Sequence, residues 1–192
     1  MNTETFWNDI YRQGSPTTSG RPGLIVAQFA GPLASRTALE LGCGKGDGAV
    51  WLARQGWAVT AVDVSTVALS LAAGNAEAAG VAERVRFEAH DLATSFPAGT
   101  FDLVVASFLH SPQDWPRAEA LIRAAGAVAR GGHLLVVEHG SRAPWSWSAE
   151  DTRFPTAEET VEAMRLPLTL GASVACARSR GWPRGRMGNP PP

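Results

Sequence analysis

From residue 37 onward, short apolar runs ending in an acid or a hydroxyl alternate with longer segments of helical spacing. Residues 38–41 read as a strand, 47–55 as a helix with Gly56 as its C′ residue, and 58–62 as a second strand closed by Asp63. Ser65 is placed to N-cap a helix running to about residue 79, ahead of Gly80. Residues 85–89 form a third strand, followed by His90-Asp91. Residues 101–107 form a fourth strand around the continuous apolar run 103–106, the pattern of a strand covered on both faces. Ser111-Pro112-Gln113-Asp114 has the form of a capping box with proline at N1, so a helix is expected from there to about residue 129. Gly131-Gly132 then turns the chain into a fifth strand, 133–138.

The flanks are less regular. Residues 6–11 suit a short helix with Thr3 or Thr5 as N-cap, 14–23 are a Gly/Ser/Thr/Pro loop, and 24–33 have helical apolar spacing. After Gly140, Trp145 and Trp147 lie in a loop, and Thr156 with Glu159 forms a capping box for a helix that stops before Pro167. Residues 172–177 are a sixth strand candidate, and the Gly/Pro/Arg tail 181–192 is expected to be disordered. Strand–helix alternation of this kind predicts an α/β fold. The expected form is a Rossmann-like, doubly wound, mostly parallel sheet with helices on both faces and a weak or incomplete C-terminal strand pair. One domain over 1–180 is expected: a helical lead-in or lid (1–36), a ligand-binding core (37–140) and a C-terminal part (141–180).

Composition removes several classes of function. A chain of 192 residues suits one core. A net charge of −1 argues against nucleic-acid partners and anionic membrane surfaces. The start, Met1-Asn2-Thr3-Glu4, is polar and acidic, unlike a signal peptide, and the mostly apolar stretch 103–109, broken by Ser107, is too short to span a bilayer. A soluble cytoplasmic monomer or homodimer is expected. Cys43 and Cys176 have no C-x-x-C or metal-ligand spacing, so no metal is expected and Cys43 reads as a buried free thiol.

Candidate chemistry concentrates at Glu40-Leu41-Gly42-Cys43-Gly44-Lys45-Gly46, where a buried strand runs into a glycine loop that opens a helix. Glycine lets the backbone turn with positive φ and lets a ligand approach closely. Glu40, read as a carboxylate aimed into the same crevice, would repel a phosphate and attract an ammonium or sulfonium. That sign of charge points to S-adenosyl-L-methionine. Glu40, Asp63, Asp91, Ser107 and Glu138 fall at the ends of strands one to five, where ligands of open α/β sheets bind. Asp63 stands at the distance beyond the loop that suits ribose hydroxyls, Asp91 suits an adenine amino group, and Val64, Leu92 and Phe108 suit an apolar slot for the ring. His110 and His139, after strands four and five, are the candidate general bases, His110 first. Asp102 begins strand four, at the wrong end of the sheet for this chemistry, and reads as structural.

Five motifs in order carry a resemblance. They are the glycine segment from Leu39 to Gly46, Ala61-Val62-Asp63-Val64-Ser65, His90-Asp91-Leu92, Phe101-Asp102-Leu103-Val104 and Gly131-Gly132-His133-Leu134-Leu135-Val136-Val137. Through them residues 37–140 resemble class I S-adenosylmethionine-dependent methyltransferases. Phe6-Trp7-Asn8-Asp9-Ile10-Tyr11, followed by Ser19-Gly20-Arg21-Pro22, resembles the lead-in of small bacterial tellurite-resistance and thiopurine methyltransferases. The resemblance implies that Gly42, Gly44, Gly46 and Asp63 hold the cofactor, that Asp91 meets the adenine, and that Trp7 and Tyr11 cover the methionine end. It implies methyl transfer to a small molecule, and the apolar and aromatic set Trp7, Phe108, His110, Trp145 and Trp147 suits a fairly hydrophobic one. The tail departs from the family pattern, as a divergent end or a frameshifted one. Two rivals stand beside this reading. Gly44-x-Gly46-x-x-Ala49 satisfies a relaxed dinucleotide fingerprint, as in an NAD(P)-binding oxidoreductase. A scaffold that kept the fold and lost catalysis is the other.

Overall fold

The computed structural model describes residues 2–139 and 153–165. Trp145, Trp147, the strand expected at 172–177, Cys176 and the tail from 181 lie outside the described residues. The chain opens with α1 (Thr3–Gln13) and α2 (Leu24–Ala30). It then alternates β1 (Thr37–Leu41), α3 (Asp47–Arg54), β2 (Ala58–Asp63), α4 (Thr66–Ala78) and β3 (Val85–Ala89). The second half holds β4 (Phe101–Ser107), α5 (Arg117–Gly126), β5 (Val128–Val137) and α6 (Ala157–Met164).

The strands form one sheet in the order β3-β2-β1-β4-β5, with every neighbouring pair parallel. The order reverses between β1 and β4, the place where open α/β sheets bind ligands. Strand side chains alternate between faces. Ala38, Leu103 and Val105 join residues of α2, α3 and α4 in one apolar cluster. Leu39, Leu41, Val104 and Ala106 join α5 and Met164 of α6 in the other. The sheet is thus covered on both sides, and β1 and β4 at its centre are largely buried.

Several local expectations hold in atomic detail. The Ser65 side chain accepts from the Ala68 N–H at 3.0 Å, and the Thr156–Glu159 capping box is complete. Others need correction. The cap of α1 is Asn2, whose side chain accepts from the Thr5 N–H, so Thr3 and Thr5 lie inside the helix. The helix expected from residue 112 begins at Arg117. Ser111 Oγ instead accepts from the Gln113 N–H two residues on, a side-chain turn. Pro116 would have stood inside the longer helix without an N–H to give, so it sits at the cap position. The same helix closes at Gly126 rather than near 129. Gly131-Gly132 does not precede the fifth strand but lies within it. Phe101 pairs with Val128 and Leu103 with His133, so residues 129–132 bulge opposite Asp102. A Cβ on Gly132 would stand 2.8 Å from the Asp102 carbonyl oxygen, which excludes any larger residue. Asp102 also accepts from the Thr37 N–H and hydroxyl, which holds its carboxyl below the ordinary range and confirms it as structural.

Candidate active site

A cleft opens beyond the carboxyl ends of the strands, floored by Gly42 after β1 and by Asp63 at the tip of β2. Gly42, Gly44 and Gly46 all have positive φ (66°, 53° and 83°). At the first two, a Cβ would also crowd a side chain of the site. A Cβ on Gly42 would stand 2.7 Å from Leu109 Cδ1, and one on Gly44 would stand 2.8 Å from the Tyr11 hydroxyl. Gly46 has a different surrounding. It N-caps α3, and a Cβ there would meet Ala72 of α4 at 3.1 Å, so its contact is with helix packing and not with the cleft.

Asp63 is buried and caps the loop. Its Oδ2 accepts from the Gly44 N–H and its Oδ1 from the Ser65 N–H, each at 2.9 Å. Burial raises its pKa, while these backbone donors oppose the rise. A carboxylate has about four acceptor sites, so capacity remains for ligand hydroxyls. Val64, Asp91 and Leu92 continue the wall from β2 to β3. Asp91 Oδ1 accepts from the Ala93 N–H at 3.0 Å, which fixes the turn. His90, beside it, lies within hydrogen-bond reach of Ser95 and Glu88.

Glu40 is not at the crevice. Its place in β1 shares the parity of Ala38, so the side chain turns to the face covered by α3. The carboxyl lies under Gly48: a Cβ there would stand 1.9 Å from Oε1. The Ala49 N–H bonds it, while Oε2 is buried without a hydrogen-bond partner. Burial pushes its pKa up to about 8. A fully buried carboxylate without a counter-charge costs several kcal/mol, so the group takes a proton instead. Ser107 likewise turns from the cleft and faces Gly23. The Cys43 thiol is buried, and burial raises its pKa too.

The N-terminal helix roofs the site. Trp7 and Tyr11, one turn apart with ring centroids at 6.4 Å, both line the cleft. Burial, and then the nearby Asp63, raise the Tyr11 pKa. Asn8, buried between them, is the latch. Its Oδ1 accepts from the Ser65 hydroxyl at 2.7 Å and from the Val67 N–H at 3.1 Å, bonding α1 to the start of α4. The following strap (residues 14–23) is tied to the glycine loop. Lys45 Nζ donates to the carbonyls of Ser15 (3.2 Å) and Thr17 (2.9 Å), and the Ser19 hydroxyl donates to Asp47.

The far wall follows β4. Phe108 has φ 53°, a left-handed conformation that costs a non-glycine residue about 1–3 kcal/mol and often marks a functional position. It is 44% exposed and stacks on His139 at 4.4 Å. His110 lines the cleft, with His139 and Phe154 each 5.9 Å away between ring centroids. Burial lowers the His110 pKa, the Arg117 guanidinium lowers it further, and His139 adds to this against Glu138; burial lowers His139 as well. Both shifts favour the neutral imidazole.

Nine of the expected site residues thus meet at one cleft: Trp7, Tyr11, Gly42, Asp63, Val64, Asp91, Leu92, Phe108 and His110. Gly44 lies at its edge under Tyr11, and Glu40, Gly46 and Ser107 lie elsewhere. Leu109, Asp114 and Trp115 also line it, and Asn8 braces its roof. Pro116 was the available signal for Asp114 and Trp115, because it keeps them out of the helix. Asn8 carried no local signal, since its partners are 57 and 59 residues away.

Among the described residues, the lining holds three carboxylates, Asp63, Asp91 and Asp114, and no lysine or arginine. Such a cleft suits a cationic ligand and repels a pyrophosphate. A side-chain-free floor, an acid with spare acceptor sites and an apolar wall together fit S-adenosylmethionine. The inference drawn from Glu40 therefore survives, but on different carboxylates.

Comparison with known proteins agrees. Residues 38–132 match the model of the methyltransferase domain family. A release factor glutamine methyltransferase of Chlorobaculum tepidum is 42% identical over 96 residues, 46% of this chain and 33% of that protein. One from Cereibacter sphaeroides is 38% identical over 107 residues, and the chain spans only 37% of its length. Among solved structures, one from work on conversion of a disulfide into a thioacetal during echinomycin biosynthesis has a TM-score of 0.62 at 24% identity, covering 85% of this chain and 77% of that one. An S-adenosylmethionine-dependent methyltransferase of Thiobacillus denitrificans, solved with S-adenosylhomocysteine, has a TM-score of 0.52 at 24% identity, covering 71% and 56%. At these identities the structures speak for the fold.

Proposed function

We propose, from the premise that this chain carries a class I S-adenosylmethionine-dependent methyltransferase domain, that it methylates a small, largely apolar molecule held against Phe108, His110 and Trp115. The observation that carries this reading is the lining: acidic, free of lysine and arginine among the described residues, and aromatic on the wall beyond Gly42. When bound, the cofactor supplies an electrophilic methyl on a sulfonium that is already a good leaving group.

The residues have few tasks left. Asp63 accepts from the ribose hydroxyls, Asp91 from the adenine amino group, and Val64 and Leu92 pack on the ring. Gly42 and Gly44 let the methionine part lie on backbone. Trp7 and Tyr11 exclude water from above. Phe108 and Trp115 orient the acceptor so that its nucleophilic atom stands about 3 Å from the methyl. His110, neutral, takes the proton of a hydroxyl or amine acceptor; a thiolate needs no such help.

A second reading has support from the curated relatives, which are named for a glutamine of a release factor. On that reading the acceptor is a protein side-chain amide, and regions beyond the aligned third would select it. Thermal shift with S-adenosylhomocysteine, NAD and ATP tests the cofactor: the first should raise the melting temperature and the others should not. Incubation with labelled methyl donor then separates the acceptors, using phenols, thiols, amines and chalcogen anions against a release factor. Asp63→Ala should weaken S-adenosylhomocysteine binding about tenfold or more by calorimetry, because a charged acceptor to two hydroxyls is lost. Unchanged affinity would contradict the ribose role.

A further inference from the structure

The apolar lips of the cleft, Leu92 on the β3 side and Leu109 on the β4 side, have something in common outside it. Each has its backbone carbonyl bonded by an arginine of the same helix. Arg117, at the first position of α5, donates through Nε to the Leu109 oxygen at 2.9 Å. Its guanidinium also pairs with Glu138 at the end of β5, and the other Glu138 oxygen accepts from the buried Thr160 hydroxyl of α6 at 2.6 Å. Arg123, in the last turn of α5, donates to the Leu92 oxygen and lies over the Phe96 ring at 5.7 Å.

These are not exposed pairs of small value. The Arg117 and Glu138 side chains are 19% and 11% exposed. Charge-assisted bonds in such settings are strong, and loss of one partner leaves the other unsatisfied. Neither carbonyl belongs to a regular strand or helix, so each arginine adds a side-chain bond to a loop otherwise held by backbone and turn bonds such as Ala93 N–H to Asp91 and Phe108 N–H to Val137. The Leu109 side chain then rests where a Cβ on Gly42 would stand, over the glycine loop. Leu92 rests beside Asp91, on the wall opposite.

We infer that α5 is a clamp in which Arg117 and Arg123 are positioning residues, each setting one end of the cofactor cleft. Arg123 fixes the adenine lip through Leu92, and Arg117 fixes the methionine lip through Leu109. The inference rests on the cofactor orientation proposed above. It requires the two arginines to affect different parts of one ligand, a split that a general structural role does not produce.

Calorimetry with two probes tests it: S-adenosylhomocysteine, and 5′-methylthioadenosine, which lacks the amino-acid part. Arg123→Met should weaken both, each by about tenfold, or 1.4 kcal/mol. Arg117→Met should weaken S-adenosylhomocysteine by a similar factor and leave 5′-methylthioadenosine within about twofold. Arg123→Lys should recover most of the loss, since one carbonyl and one ring are within reach of an ammonium. Arg117→Lys should not, because the bond to Leu109 and the pair with Glu138 need a fork. The lysine variants also keep a charge at each position, so they stand in if a methionine variant fails to fold. Equal losses for both probes in both folded series, or wild-type affinities throughout, would overturn the clamp. Wild-type protein that binds neither probe would overturn the cofactor reading itself.

Discussion

Glu40 shows how a residue can be well chosen by sequence and misplaced by it. A carboxylate next to a glycine loop reads as a ligand group, yet strand parity sends it beneath α3. That parity was present in the sequence, since Leu39 and Leu41 both needed the opposite face. The consequence is a pH-dependent stability of unusual sign. The folded pKa, about 8, is above the unfolded carboxyl range, so between the two the folded state holds a proton that the unfolded state lacks. Stability therefore falls as pH rises from about 4.5 to about 8, and the full loss persists above. Glu40→Gln should flatten that limb and stabilise the protein at pH 9 by an amount on the order of a few kcal/mol, read from urea melts across pH. Gly48 is coupled to it. Gly→Ala inside a helix ordinarily gains about 0.5–1 kcal/mol. Here Gly48→Ala should instead lose stability, because the new methyl falls on Oε1. The loss should vanish in a Glu40→Ala background, which a double-mutant cycle would show. His110 makes a kinetic counterpart. Because burial and Arg117 lower its pKa, transfer to a hydroxyl or amine acceptor should fall at low pH with an inflection below the ordinary imidazole value of about 6.5. His110→Ala should remove that inflection while S-adenosylhomocysteine affinity holds.

At the scale of elements, the alternating core was legible almost entirely, because strand and helix periods are local properties. What escaped was set by contacts distant in sequence. The roof, α1, is fixed by Asn8 to the β2–α4 corner, and no periodicity announces a buried asparagine. Its removal leaves the Ser65 hydroxyl and the Val67 N–H without their acceptor, at a cost of about 1–3 kcal/mol. Asn8→Ala should accordingly lower the melting temperature and speed proteolysis in the strap (residues 14–23), and Asn8→Asp should preserve more of both. Equal cleavage rates would show that the latch does not hold the roof. The late start of α5 is the other instance. The pattern at Ser111 favours an early cap, but Pro116 is the stronger constraint. The displaced segment, with Asp114 and Trp115, became part of the cleft wall instead of a helix.

Over the molecule as a whole, the sheet order explains why residues from four successive strand ends and an N-terminal helix share one ligand site. Ligand binding should therefore be felt by the entire fold. At a hundred times its dissociation constant, S-adenosylhomocysteine should add about 2.7 kcal/mol, or roughly 5–10 °C in melting temperature. A flat response would leave the site's assignment without support. The glycine loop adds one more property. Lys45 is the sole lysine in the 192-residue sequence, and its amine is spent on two strap carbonyls. Amine-selective acylation of this chain, apart from its α-amino end, thus falls at a single atom. How quickly that atom reacts becomes a stopwatch for the seating of the strap, and the adduct, unable to reach both carbonyls as a cation, would act as a wedge that holds it open.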